Sequence, residues 1–218
     1  KYMRPLIPVA AMQPSGVFAQ GVKKGIFYIT PREGNTLSRA DLASTTSHEL
    51  MPGHHYQYVR AAEHSSVVRH WIDPLDLIEG WTTRVPEQVM IEAGYVGTSG
   101  LQEEEAYVAA ASQLRLGARV CFVLACLTGD RKYFQNDLGV IVGAHDGDIV
   151  VASQELYQGI TGFPKPRADA DVAIFSMLGT YGAKYLVGNT LFHTMEEQAA
   201  SRQGSRFKRA EFHEAILR

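Results

Sequence analysis

Apolar residues recur every three or four positions along much of the chain, the spacing of a helix that buries one face. From Arg39 this spacing predicts a helix. Ser38, with Asp41 three residues later, is typical of a capping box with Asp in place of the usual Glu. The helical pattern resumes through Tyr56 towards Ala62. A further helix is predicted to open at Asp73-Pro74, because proline favours the first helical turn.

That helix places Glu79 on the same face as its apolar residues, and Pro86 is expected to kink or end it. The longest periodic run covers Glu103 to Thr128. Further helices are predicted over Asp137–Val142, Asp148–Tyr157 and Ala168–Thr194.

Two short runs near the start, Val17–Gln20 and Gly25–Thr30, predict a β-hairpin, since the second run is rich in β-branched and aromatic residues. Loops are expected over Pro31–Asn35 and around Gly94–Gly100. The predicted fold is mainly α with a short β-hairpin near the N-terminus, and residues 1–218 are expected to form a single domain.

Composition excludes some classes of function. The chain has 218 residues, 45% of them hydrophobic, and a net charge of -2, with no dense basic stripe, so no nucleic-acid partner is expected. No uninterrupted apolar run reaches the ~18 residues that a membrane-spanning helix needs, so no membrane partner is expected either. The most apolar stretch, Val120–Leu127, is interpreted as buried core. Cys121 and Cys126 lie five residues apart and are interpreted as inert thiols.

Residues 48–55 read His-Glu-Leu-Met-Pro-Gly-His-His, and Glu79-Gly80-Trp81 follows about thirty residues later. A catalytic zinc ion uses three imidazole or carboxylate ligands and keeps one position open. His48, one of His54 and His55, and Glu79 could supply those ligands. Glu49 would be the general base that takes a proton from a water molecule acidified by the metal. The alternative is that these are ordinary solvated residues on helices.

The usual helical zinc signature places its two histidines four residues apart, and here that fourth position is Pro52. Pro52 and Gly53 are interpreted as a two-residue interruption that redirects the chain, because neither favours a continuous helix. We expect His54 to be the second histidine ligand. In an ideal helix His55 would lie ~10 Å from His48 along the axis, so it is expected to contact the substrate or to be the alternative ligand.

These residues resemble the HExxPGHH signature of the domain-of-unknown-function 885 (DUF885) family, bacterial proteins with metallopeptidase-like motifs. Further similarity comes from Gly25–Thr30, Glu79-Gly80-Trp81, Arg119, Tyr185–Gly188 and Phe212–Leu217. The resemblance implies a mainly helical, gluzincin-like zinc peptidase domain. In it Glu49 would be the base, His48 and Glu79 ligands, and Tyr185 an oxyanion donor; packing in the core is the alternative for Tyr185.

The chain departs from the family pattern mainly where substrate would bind. The family's aromatic and second acidic positions after Glu79 are Arg84 and Pro86, an expected Asp is Val123, and glycine-glutamine before the late tyrosine is Thr180-Tyr181. The expected substrate is a peptide or a small amide, and these departures count against an ordinary peptide. Arg84 and Arg119 could bind an anionic group of it, or could form structural ion pairs.

The predicted function is thus zinc-dependent hydrolysis of an amide bond. The alternatives are a metal-dependent enzyme acting on a small biosynthetic intermediate, and a non-catalytic helical subunit with a structural or lost metal site. Because related chains extend further on the N-terminal side, the chain is expected to be the C-terminal catalytic portion of a longer protein, or a subunit whose partner chain supplies the missing half. The sequence predicts no cellular compartment.

Overall fold

The computed structural model describes residues 10–15, 24–30, 38–72, 74–93 and 102–217. Its elements are mainly helical, as predicted, with one short hairpin. Strand β1 (Ala10–Gln13) pairs antiparallel with β2 (Ile26–Ile29), with Ala10 opposite Ile29. The predicted second strand is confirmed and pairs with β1, whereas the predicted first strand, Val17–Gln20, lies outside the described residues. The predicted loops at 31–35 and 94–100 also lie outside them.

The helices before residue 94 are short. They are α1 (Arg39–Glu49), α2 (His54–Ala62), α3 (Val67–Trp71), α4 (Leu75–Arg84) and α5 (Met90–Glu92). The segment Val85–Val89 between α4 and α5 is π-helical. Pro86, which was expected to kink or end the helix, therefore lies inside a π-helical segment, where Met90 N–H donates to the carbonyl of Val85, five residues earlier.

The later helices are longer, except the last one. They are α6 (Gln102–Thr128), α7 (Ile149–Thr161), α8 (Lys165–Met177), α9 (Tyr181–Gln203) and α10 (Arg209–Leu217). Short 3₁₀ turns lie at Arg131–Phe134, His145–Gly147 and Gly204–Arg206. The single helix predicted over Ala168–Thr194 is wrong, because the chain turns between α8 and α9, where Gly179 has a φ of 59°.

The helix predicted over Asp137–Val142 is also wrong, and the reason is the side chain of Asn136. Its Oδ1 accepts from the N–H groups of Leu138 and Val140, and its Nδ2 donates to the carbonyls of Phe134 and Val140. One amide side chain thus satisfies the backbone groups that a helical turn would have paired, so the segment stays a loop.

The chain forms two compact units. Unit 1 contains Tyr107–Leu186, and unit 2 contains the described residues of Val9–Ala106 and Val187–Arg218. In unit 1, Phe122 and Val123 of α6 pack with Tyr157 of α7 and with Val172 and Phe175 of α8. In unit 2, Trp81, Val85, Phe192 and Leu217 form a buried core cluster.

Within the described residues, α6 is the one helix long and apolar enough to cross a membrane, by length and composition. Its Leu116, Phe122, Val123 and Ala125 are buried in the protein, as expected for a core helix. Cys121 and Cys126 on this helix form no disulfide. Burial raises the pKa of the Cys121 thiol, which keeps it protonated and unreactive.

Candidate metal centre

Helix α1 presents His48 and Glu49 at its C-terminal end. Its first turn is fixed by the predicted capping box: the Ser38 hydroxyl accepts from Asp41 N–H, and Asp41 Oδ2 accepts from Ser38 N–H. The helix ends at Glu49, a buried residue in the last turn. His48 and Glu49 are consecutive, so they project from adjacent positions of one turn.

The chain then reverses so that His54 returns to His48. The interruption covers Leu50–Gly53, four residues instead of the expected two, and the Met51–Pro52 peptide bond is cis. A Cβ at Gly53 would lie 1.8 Å from the carbonyl oxygen of His48, so only glycine allows this close approach. The Trp81 indole Nε1–H donates to the carbonyl of Pro52 at 2.8 Å and ties the interruption to α4.

Glu79 comes from the middle of α4, where it is almost fully buried. The helix lies directly against the backbone around Gly188. A Cβ at Gly80 would come within 2.4 Å of the Gly188 carbonyl carbon, and one at Gly188 within 2.0 Å of the Asp76 carbonyl oxygen. Gly80 and Gly188 therefore allow the backbone of α4 to lie directly against the backbone around Gly188, at the residue that follows Glu79.

The three predicted ligands meet in one place. His54 Nε2 lies 3.5 Å and His48 Nε2 3.9 Å from Glu79 Oε2. The two imidazole rings stand edge to face with centroids 5.0 Å apart. The three ligand atoms lie within 4.8 Å of one another. Ligands at the usual ~2.0–2.2 Å from a tetrahedral zinc are ~3.4 Å apart, so this donor set fits such an ion after a small contraction.

Glu87 is a further member of the site that sequence reasoning missed. Its Oε1 is hydrogen-bonded to His48 Nδ1 at 2.9 Å, which leaves Nε2 of that ring for a metal. The acidic position that the family pattern placed at Pro86 is filled one residue later, within the π-helical Val85–Val89. A π-helical turn takes up one extra residue, which turns Glu87 towards His48. The signal in the sequence was an acidic residue immediately after the proline.

Carboxylates surround His48. Burial lowers the pKa of His48, but the hydrogen bond to Glu87 and the charges of Glu87, Glu49 and Glu79 outweigh it, so that the pKa lies above its ordinary value. All three carboxylates are buried. A site that brings three buried carboxylates to two imidazoles favours a bound cation, since the cation offsets their mutual repulsion.

His55 does not belong to this group of ligand atoms. Its Nδ1 lies where a Cβ on Gly25 would approach within 2.9 Å, so its ring lies beside the hairpin. It also lines a cavity of unit 2. The assignment of His55 to substrate contact stays a prediction.

Arg84 is buried and engaged within unit 2. Its Nη1 donates to Gln88 Oε1 at 2.9 Å and lies 3.3 Å from Glu92, and its Nη2 lies 3.5 Å from Glu196. Arg209 joins the same carboxylates, through Glu92 at 3.4 Å and a close pair with Glu196. These contacts are the structural ion pairs that the sequence left open as the alternative to anion binding by Arg84.

Arg119 and Tyr185 lie in unit 1. The Arg119 guanidinium lies 3.9 Å from Asp171 and stacks over the rings of Phe175 and Tyr185, at 4.1 and 5.1 Å from their centroids. Burial lowers the pKa of Arg119, but the effect of nearby Tyr157, Tyr185 and Asp171 is larger. The pKa is therefore raised overall, and the side chain stays charged. Tyr185 OH donates to Tyr181 OH at 3.0 Å. The anion-binding role of Arg119 and the oxyanion role of Tyr185 stay predictions.

Comparison with known proteins supports the resemblance seen in the sequence. Residues 1–122, more than half of the chain, match the model of a family described as "Bacterial protein of unknown function (DUF885)". The matched segment contains His48, Glu49, His54 and Glu79. No curated protein is similar to the chain at a significant level.

A solved structure has the same fold. The crystal structure of a "putative lipoprotein" from Colwellia psychrerythraea superposes with a TM-score of 0.75 at 20% sequence identity, over 99% of this chain. The match covers 37% of the other protein, so this chain spans little more than a third of that relative's length.

Proposed function

The chain belongs to the DUF885 family, and from this premise we propose that it is a zinc-dependent hydrolase that cleaves an amide bond in a peptide or a small molecule. One observation carries the proposal: His48, His54 and Glu79 bring three ligand atoms within 4.8 Å of one another, next to the buried carboxyl group of Glu49. A metal held by two imidazoles and one carboxylate, with a base beside it, is the arrangement of zinc hydrolases.

The donor set favours zinc among the common divalent ions. Calcium and magnesium take oxygen ligands almost exclusively, whereas two of the three donors here are imidazole nitrogens. His48 would bind through Nε2, since Glu87 engages its Nδ1. When bound, zinc supplies Lewis acidity, which polarises a carbonyl group and lowers the pKa of water.

Glu49 has the role of the base. Its carboxylate takes a proton from the attacking water and transfers it to the nitrogen of the leaving amine, so the net reaction is the addition of water across the amide bond. Its place directly after His48 puts the carboxylate in the same helical turn as a ligand. Burial of Glu49 and Glu79 limits competing solvent around the reacting groups.

The Glu49→Gln variant tests this assignment. The amide keeps the shape of the carboxylate but cannot take up a proton, so the variant should bind zinc as the wild type does and lose at least ~100-fold in turnover. Zinc content is measured by elemental analysis, and turnover on a panel of peptides and small amides. Glu63→Gln, at a side chain 55% exposed, is the matched control and should keep full activity.

Two results would contradict the proposal. Wild-type protein purified without chelators that contains no zinc, and whose melting temperature does not rise when zinc is added, would favour the non-catalytic subunit. Full turnover by Glu49→Gln would exclude Glu49 as the base.

A further inference from the structure

Unit 2 contains a cavity of about 470 Å³. This volume lies within the ~300–1,000 Å³ typical of sites that bind small molecules. Helices α2, α3, α4 and α10 supply most of its wall, and Pro14 and Ser15 close it beside the end of β1. Most of the wall is apolar, including Val59, Ala62, Val68, Ile72, Leu77 and Leu217.

The cavity adjoins the candidate metal centre through residues next to its ligands. His55, which follows the ligand His54, lines it, and so does Ile78, which precedes the ligand Glu79. Tyr58 lines it as well, and its ring packs against the ring of His54, with centroids 6.3 Å apart. The ligands themselves do not line the cavity, so the ring of Tyr58 is the contact that connects its wall to the predicted ligand His54.

The amide of Gln57 in the wall is only partly hydrogen-bonded within the described residues. Gln57 lines the cavity and is 4% exposed. Its Nε2 donates to the carbonyl of Leu77 at 3.2 Å, which fixes the orientation of the amide. Its Oε1 is buried and has no hydrogen-bond partner in the part of the chain that the structure describes. A buried acceptor of this kind is costly unless a donor reaches it, and a bound ligand can supply one.

We propose that this cavity is the specificity pocket of the hydrolase and binds a large apolar side chain, aromatic or branched aliphatic, of the amide substrate. The inference rests on the proposed function, since it assigns the substrate class of that same metal centre. The apolar wall selects the side chain by removing its surface from water. Gln57 Oε1 accepts a hydrogen bond from an N–H group of the substrate backbone, which sets the position of the scissile bond.

Helix α3 offers a pair of variants that tests the pocket. Val68 lines the cavity and Val67 does not, yet the two are neighbours and are similarly exposed, at 59% and 61%. Aspartate at either position introduces the same charge, and neither exposed valine contributes much to the core. Val68→Asp is expected to impair binding of an apolar ligand, and Val67→Asp to leave it unchanged.

The probes are N-acetyl-phenylalanine amide and, as a polar comparison, N-acetyl-aspartate amide. Their affinity for the zinc-free protein is measured by NMR titration, so the readout does not depend on turnover. We expect the phenylalanine amide to bind wild type at least about tenfold more tightly than the aspartate amide. Val68→Asp should lose about tenfold in affinity for the phenylalanine amide, and Val67→Asp should match wild type.

Three outcomes separate the pocket from the proposed function. Selective binding that is lost only in Val68→Asp, without hydrolysis of any amide by the zinc-loaded protein, supports the pocket and refutes the hydrolase. Hydrolysis at rates that do not depend on the side chain supports the hydrolase and overturns the pocket. Failure of the phenylalanine amide to bind, or equal loss in both variants, overturns the pocket as well.

Discussion

Glu87 provides the sharpest test of the metal centre. Its carboxylate is buried, is hydrogen-bonded to His48 Nδ1 at 2.9 Å, and contacts the ring on the side opposite the nitrogen that faces Glu79. Glu87→Gln keeps the size of the side chain and removes the charge. The imidazole then loses the partner that fixes its orientation and raises its basicity as a ligand.

The expected loss follows from the position of Glu87 behind a ligand. Removing such a partner typically weakens metal binding ~10–100-fold. Tenfold in affinity is ~1.4 kcal/mol, so the variant should lose ~1.4–2.8 kcal/mol of zinc binding free energy. At saturating zinc the free energy of unfolding of the variant should be lower than that of wild type by the same ~1.4–2.8 kcal/mol, because bound zinc stabilises the folded protein in proportion to its binding free energy. For a chain of this size that corresponds to a melting temperature lower by ~3–11 °C than that of the zinc-loaded wild type.

The measurement is a zinc competition titration with a chromophoric chelator, repeated across pH. Against the lowering effect of burial, Glu87 raises the pKa of His48, so protons compete with zinc more strongly in wild type than in the variant. Above the raised pKa of His48, wild type should bind zinc ~10–100-fold more tightly than Glu87→Gln, and this difference should narrow as the pH falls through that pKa. Glu92→Gln is the control, since it removes a nearby carboxylate, on the adjoining helix α5, which pairs with Arg84 and not with His48. Equal zinc affinity of wild type and Glu87→Gln at high pH would refute the assigned role.

Two further predictions concern packing. Gly53→Ala should lower zinc affinity by at least ~100-fold, because the new Cβ would lie 1.8 Å from the carbonyl oxygen of His48 and force α1 and α2 apart. Gly117→Ala has open space around the new Cβ and should instead raise the free energy of unfolding by ~0.5–1 kcal/mol. Chemical denaturation with and without zinc measures both effects. Asp171→Asn should destabilise the protein by ~3–5 kcal/mol, since it leaves the buried Arg119 without its nearest carboxylate; unchanged unfolding by urea would contradict that account.

Local signals in the sequence predicted much of the helical fold. Ser38 and Asp41 mark the start of α1 because a capping box depends only on residues three apart. The ligands could be proposed for a similar reason, since His48, Glu49 and His54 lie in one short segment whose chemistry is recognisable by residue type. The choice of His54 over His55 used the proline and glycine between them, and the structure places His54 Nε2 near Glu79.

The features that were missed depend on interactions that residue spacing does not reveal. Glu87 was overlooked because Pro86 indicated the end of a helix, whereas the chain continues as a π-helix that rotates the next residue inward. The loop at 137–142 carries apolar residues at helical spacing, but the Asn136 side chain competes for its backbone groups. The cavity lined by Gln57 needs α10 as well as the consecutive helices α2, α3 and α4, which lie far before it in the sequence, and no local pattern reveals that meeting.

The contact between Gly80 and Gly188 constrains which substitutions unit 2 can accept. A side chain at position 188 would meet the backbone of α4 at Asp76, three residues before Glu79, and one at position 80 would meet Gly188 itself. Neither position can gain a methyl group unless the two segments separate, which would shift a ligand. Over evolutionary time both sites should thus stay occupied by glycine as a pair in every homologue that retains the ion, and drift together once it is lost.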